Sequence, residues 1–277
     1  MKIGFHISIA KGFDWTLEEA NRLGCEVIQI FLRNPRSWRR KTWDDNDRRA
    51  FRDLSKSMPV FAHLTYLPNL AKIDEDDVHI NGLVHEVELC EDLGINKIIV
   101  HCGSRQNRDK GIDMVSKAIN YVTSKYRINI LIENSAGQGN SIGKNIAELS
   151  KIFEKVENKK RVSLCLDTAH LFASGYDIRS PEAWKTLTSE IEDRFGLNKI
   201  GFFHLNDSKT DLGSRVDRHW HIGRGSIGVD AFKNILKDIR FKNLKGVMET
   251  PKVENMDEEN MKVMRSLLSS LVSRPSS

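Results

Sequence analysis

Nine side chains able to bind a divalent cation recur at similar places in this 277-residue sequence. Six of them close short apolar runs: His63 in PVFAHL, His101 in IIVHC, Glu133 in ILIEN, Asp167 in SLCLD, His204 in IGFFHL and Glu249 in VMET. His170 follows Asp167 by three residues in LDTAH, and Asp217 and His219 form a D-x-H pair. Neutral imidazoles and carboxylates are the ligands that zinc and manganese take. In an extended segment residues two apart face the same side, so D-x-H can chelate one ion. A catalytic zinc takes about three protein ligands and leaves a position open. Nine ligands therefore suggest two or three ions, and metals about 3.5–4 Å apart suit phosphoester chemistry. A lone buried His at a strand end is more often a hydrogen-bonded core residue. Several ionisable groups buried together without partners would be costly, and that favours the ligand reading for the set. His6, in KIGFHIS, lies at the same rim behind these groups, placed to orient a ligand or a phosphate.

The runs that carry these groups are rich in Val, Ile and Phe, as strands buried on both faces are. An eighth run, VIQIFL, ends beside Arg33. Strands are expected near 2–8, 27–32, 59–64, 97–102, 129–134, 162–167, 199–205 and 246–250. Helical patterns lie between them, near 14–23, 45–56, 78–93, 110–124, 143–155, 181–195, 229–239 and 257–272. Eight strand–helix units argue for an α/β fold, a single (β/α)8 TIM barrel with the ligands at the C-terminal rim of its strands. Gly24 and Gly94 are expected as left-handed helix ends, and Asp257 as the N-cap of the last helix. No linker divides the chain, so residues 1–277 read as one domain, with 273–277 a frayed tail. The longest connection, DSKTDLGSRVDRHWHIGRGSIG, has the length of a functional loop.

Composition narrows the class. With 39% hydrophobic and 29% charged residues the sequence is that of a globular protein. No apolar run reaches the roughly 20 residues of a membrane span, and the N-terminus lacks a signal-peptide pattern. A cytoplasmic monomer is expected. The net charge of +5 is compatible with a polyanionic partner without establishing one. Cys25, Cys90, Cys102 and Cys165 form no C-x-x-C pair; three of them read as buried thiols, and Cys102, turned away from the side of His101, does not read as a ligand. His79 and His85 read as packing or surface residues of a helix. Trp220 and His221 could extend the D-x-H loop toward substrate or pack beneath it.

The segments GFHISIAKG, IENSAGQG, CLDTAHLFASGYD, FHLNDSK, VDRHWHIGRGSIG and METP, in this order, resemble the endonuclease IV family of apurinic/apyrimidinic (AP) endonucleases. The resemblance spans nearly the whole chain. It implies a TIM barrel with three zinc ions, manganese being an option at one site. One ion would be held by His63, His101 and Glu133; the second by Glu133, Asp167, His204 and Glu249; the third by His170, Asp217 and His219. It also implies hydrolysis of the phosphodiester 5′ to an abasic site in double-stranded DNA, leaving a 3′-hydroxyl and a 5′-deoxyribose phosphate, and trimming of blocked 3′ ends. Glu249 and Glu133 would bridge, orient or accept a proton in that chemistry. Arg36, Tyr66 and Leu67 match positions inserted into the bent duplex, with Trp38 supporting the first loop or packing in the core. Lys209 and Arg218 are expected on phosphates. Arg224 departs from the family in GRG, where Glu is common, and CGS stands where HPGS is common. The rival enzyme reading is a divalent-metal sugar isomerase or epimerase, which needs fewer His ligands. A non-catalytic binder of damaged DNA would be expected to lack some of the nine.

Overall fold

The computed structural model describes residues 1–253 and 255–272; the expected tail at 273–277 lies outside the described residues. The chain runs through β1 (Lys2–His6), β2 (Ile28–Phe31), β3 (Val60–His63), β4 (Lys97–His101), β5 (Asn129–Glu133), β6 (Val162–Asp167) and β7 (Ile200–His204). Two short strands, β8 (Asp207–Ser208) and β9 (His219–Trp220), precede β10 (Lys245–Met248). Strands β1 to β7 and β10 pair in parallel and close into a barrel, β10 lying between β7 and β1. The remaining pair, β8 and β9, forms a separate antiparallel ribbon. The helices are α1 (Phe13–Arg22), α2 (Asp45–Ser57), α3 (Asp77–Leu93), α4 (Arg108–Lys125), α5 (Ile146–Glu154), α6 (Thr168–Ser174), α7 (Pro181–Phe195), α8 (Val229–Lys237) and α9 (Met256–Val272). None among the described residues is long and apolar enough to cross a membrane.

Alternation along each strand sorts side chains into two cores. Outward residues such as Ile3, Phe5, Ile28, Ile30, Ile98 and Ile132 pack against the helices. Inward residues Val27, Phe61, Ile99, Leu131, Cys165, Phe202 and Val247 form a separate plug inside the barrel. From β1 the corresponding residue is Gly4. A Cβ there would come within 1.7 Å of the Val27 carbonyl oxygen, so only glycine lets the first two strands approach this closely. Two residues further along each strand, the next inward position is polar in every case: His6, Gln29, His63, His101, Glu133, Asp167, His204 and Glu249. The strand period of two thus sets a ring of polar side chains directly on an apolar floor.

Several local expectations need correction. The connection after β6 is itself helical, because the Asp167 side chain accepts the His170 amide at 2.8 Å and caps α6. Helix α5 begins at Ile146, capped by Asn145, because Gly143 takes φ 81° and cannot start a right-handed turn. Asp257 is not the N-cap of α9; it lies in the first turn and accepts Lys252 Nζ at 2.7 Å. Gly24 and Gly94 do take positive φ beyond α1 and α3. All four cysteines are buried free thiols. Cys102 packs toward Gly143 on the outer side of β4, whereas Cys165 points into the barrel.

Candidate metal centre

The eight-membered polar ring is completed by three side chains from the loops. His170 comes from the first turn of α6, where the Asp167 cap fixes it. Asp217 and His219 come from the loop after β7, which the β8–β9 ribbon folds back over the rim by pairing Asp207 with Trp220 and Ser208 with His219. Asp207 organises the rest of this loop. Its buried carboxylate accepts the backbone N–H groups of Ser208, Gly223, Gly225, Ile227 and Gly228 at 2.8–3.3 Å.

Three groupings result. His63 Nε2 and His101 Nε2 lie 3.0 and 3.5 Å from one oxygen of Glu133. The other Glu133 oxygen lies 2.9 Å from His204 Nδ1, which is also 3.2 Å from Glu249 and 3.7 Å from Asp167. His170 Nε2, His219 Nε2 and the carboxylate of Asp217 are separated by 3.2, 3.3 and 3.4 Å, with Asp167 Oδ2 3.4 Å from His219 Nε2. Two ligands of one tetrahedral zinc with bonds of about 2.0–2.1 Å stand about 3.3 Å apart. The observed spacings match that edge length, and the donor atoms of His63, His101 and Glu133, of Glu133, Asp167, His204 and Glu249, and of Asp167, His170 and His219 each lie within 4.8 Å of one another. All nine sequence-identified groups are therefore brought together, in arrangements that can hold divalent cations.

Backbone and amide partners aim the rings. His63 Nδ1 faces the Leu64 carbonyl at 2.7 Å, His170 Nδ1 the Asn134 carbonyl at 2.9 Å, and His219 Nδ1 the Glu249 carbonyl at 3.2 Å. Such contacts fix the tautomer and leave the other nitrogen free to ligate. Asn206 donates to Asp167 at 2.7 Å and accepts the Glu249 amide at 2.7 Å, tying two carboxylate carriers together. Gln29 joins His204, Glu249 and His6. Neither Gln29 nor Asn206 was singled out in the sequence, although Gln29 is the one polar residue inside VIQIFL. Arg33, at the end of that run, does not join the rim. It is buried against Glu86 of α3 at 2.9 Å.

Burial and neighbouring charges oppose one another at the cluster. Burial alone would raise the Glu133 carboxyl, but His101, His204 and His170 hold it well below the usual range. Burial opposes ionisation of Glu249 too, and His204 and His6 outweigh it. For His170, burial disfavours the imidazolium, yet Asp167, Asp217 and Glu133 hold it well above its ordinary value. At His101 and His6 burial prevails and lowers the pKa. At Glu133 and Glu249 the neighbouring imidazoles thus favour the ionised carboxylate, the form that ligates a cation.

Above the cluster lies an open cavity of about 530 Å³, with Arg36, Tyr66, Thr250 and Lys252 in its walls. Arg36 is exposed, Tyr66 is 62% exposed and Leu67 half-buried beside it. Lys209 and Arg218 are exposed and adjacent on the ribbon, Lys209 lying over the Trp220 ring at 4.3 Å. Trp38 supports the Arg36 loop by resting on Gly82 of α3, so its packing is against a helix and not within the barrel. His221 is buried and faces Asn260, away from the cavity. Arg224 pairs with Glu259 of α9, which offsets its charge. His79 and His85 accept backbone N–H groups of Asn69 and Lys41 as packing residues.

This is a closed (β/α)8 barrel with a histidine–carboxylate cluster at the carboxyl ends of its strands. The family model for xylose isomerase-like TIM barrels matches residues 17–267. The probable endonuclease 4 of Chloroflexus aurantiacus is 38% identical over 281 residues, covering 98% of each chain. The crystal structure of endonuclease IV from Thermus thermophilus superposes with a TM-score of 0.86 at 33% identity, covering 98% of this chain and 100% of that one. A D-tagatose 3-epimerase-like protein reaches a TM-score of 0.76 at 14% identity, a likeness of fold alone. The chain belongs to the endonuclease IV family and is an enzyme of the deoxyribonuclease IV type.

Proposed function

We propose that the protein hydrolyses the phosphodiester 5′ to an abasic site in duplex DNA, leaving a 3′-hydroxyl and a 5′-deoxyribose phosphate, and that the same site trims blocked 3′ ends. The carrying observation is the third trio, His170, His219 and Asp217, set beside the two groupings around Glu133. Three zinc ions fit the donor set: one with His63, His101 and Glu133, one with Glu133, Asp167, His204 and Glu249, one with His170, Asp217 and His219. Manganese is an alternative at the last. Divalent cations held there would lower the pKa of a water and neutralise charge on a phosphate.

The protein's own groups divide the remaining work. Glu133, 1% exposed and in contact with four imidazoles, is suited to bridging. Glu249 reaches the cavity wall and stays ionised, so it is suited to orient an attacking water and take its proton. Arg36 and Tyr66, on separate loops at the cavity mouth, are suited to fill the gap left when a base-less nucleotide turns out of the stack, with Leu67 behind Tyr66. Lys209 and Arg218 supply phosphate contacts that position without reading sequence. A sugar isomerase or epimerase shares the fold but has no use for the third trio.

The test is a labelled duplex carrying one tetrahydrofuran residue. A single nick 5′ to the lesion, with a 3′ end that a polymerase extends directly, is expected. Turnover of free ketoses with no nicking would overturn the proposal.

A further inference from the structure

Every barrel strand contributes one side chain to the polar ring, and seven of the eight are imidazoles or carboxylates. The eighth, Gln29 from β2, is neutral, cannot titrate and is completely buried. A carboxamide with no exposed surface is costly unless each of its groups is paired. Neighbours engage both ends of it. Nε2 lies 2.7 Å from Glu249 Oε1 and 2.9 Å from His6 Nδ1, and Oε1 lies 2.7 Å from His204 Nε2.

The contacts with Glu249 and His204 fix the directions of those two bonds, while His6 Nδ1 faces both the amide nitrogen and Glu249 Oε1, the latter at 3.1 Å. An ionised carboxylate only accepts, so the amide nitrogen must face Glu249. The amide oxygen then faces His204, whose Nε2 must carry a proton and donate it. That leaves His204 Nδ1 as the nitrogen directed at the Glu133 and Glu249 carboxylates, 2.9 and 3.2 Å away. The same amide holds Glu249 Oε1 and leaves Oε2 turned toward His204 and the centre. One side chain therefore orients an imidazole from β7 and a carboxylate from the end of β10 at once, across the barrel from β2.

We propose that Gln29 is a positioning residue: its carboxamide sets the tautomer of His204 and the rotamer of Glu249, pre-forming the grouping that holds one divalent cation and aims the Glu249 carboxylate. This rests on the metal reading given above. Partners of this kind typically carry about 10–100-fold in metal affinity or activity.

The experiment compares zinc-loaded wild type with Gln29→Met and Gln29→Glu. Methionine matches the volume and removes both hydrogen-bonding ends. Glutamate keeps an oxygen for His204 and, sharing a proton with Glu249, a donor. Zinc affinities are read by competition with a chromogenic chelator, alongside kcat and KM on the tetrahydrofuran duplex and the thermal midpoint of each protein. Q29M is expected to bind one ion of the complement 10–100-fold more weakly. The other ions should stay tight, kcat should fall and KM should hold. Q29E should recover most of the affinity. Wild-type zinc affinities and kcat in Q29M would overturn the assignment. So would a uniform loss of all ions together with a collapsed thermal midpoint in both variants, which would make Gln29 a packing residue. A wild-type protein that binds no stoichiometric cation would instead remove the metal reading itself, and the two failures are told apart by the wild-type titration alone.

Discussion

Glu249 illustrates how one side chain can be tied to the cluster and still meet substrate. One oxygen is held by Gln29 and His6, the other faces His204, and the residue borders the cavity. Glu249→Gln keeps shape and volume but loses the base. It is expected to leave the thermal midpoint and abasic-duplex binding near wild type while lowering cleavage by several orders of magnitude; near-normal cleavage would remove Glu249 from the chemistry. Arg36 is exposed and borders the cavity, so its cation is available to a ligand there. Arg36→Ala should weaken binding of an abasic duplex more than of an intact one in parallel titrations. Equal losses would reduce it to a backbone contact. At this scale the nine candidate ligands were legible because six of them close apolar runs in strand after strand, and the other three, His170, Asp217 and His219, lie close by in LDTAH and in a D-x-H pair. Gln29 and Asn206 were not, because a neutral amide inside an apolar run carries no chemical signature until its partners from other strands are seen.

At the scale of elements, the two loops at the cavity mouth are coupled through α3. Glu86, fully buried, meets Arg33 of the first loop at 2.9 Å and accepts the Thr65 amide of the second at 3.1 Å. Arg33 in turn donates to the Ser37 carbonyl. Arg36 and Tyr66 thus stand on segments fixed to one carboxylate. Glu86→Gln leaves a buried guanidinium without its counter-charge, and about 3–5 kcal/mol of stability should be lost in urea unfolding. A loss below about 1 kcal/mol would mean that water reaches Arg33. The loop before α5 is held similarly. Glu148 accepts from Arg108 and from the amides of Gly143 and Lys144. Burial would raise its carboxyl, but Arg108 and those amides hold it below the ordinary value. A depressed carboxylate stabilises the fold above its unfolded pKa of about 4.3 and loses that contribution as pH falls through the folded value. The wild-type urea midpoint should therefore drop more steeply below about pH 4 than that of Glu148→Gln; parallel curves would exclude the pair as a source of acid sensitivity. The alternation of strands and helices was readable from periodicity. The ribbon β8–β9 and the helix α6 were not, since strands of two residues have no period and α6 is buried over most of its length.

For the molecule as a whole, closure is what turns local sequence into a site. Residues as far apart as His6 and Glu249 meet because β10 pairs with β1, and the register that sets an apolar floor two residues earlier sets the polar ring above it. Sequence spacing indicated a barrel and its rim, whereas the order of partners around the ring depended on closure and on the loop after β7. The central claim is that this ring and its loop trio form a metal centre that hydrolyses DNA. It is tested most directly by elemental analysis of the purified protein joined to nicking of a tetrahydrofuran duplex before chelation, after chelation and after zinc is restored. Stoichiometric zinc, activity lost with it and regained on its return are predicted. Full nicking by protein stripped of divalent metal would contradict the account.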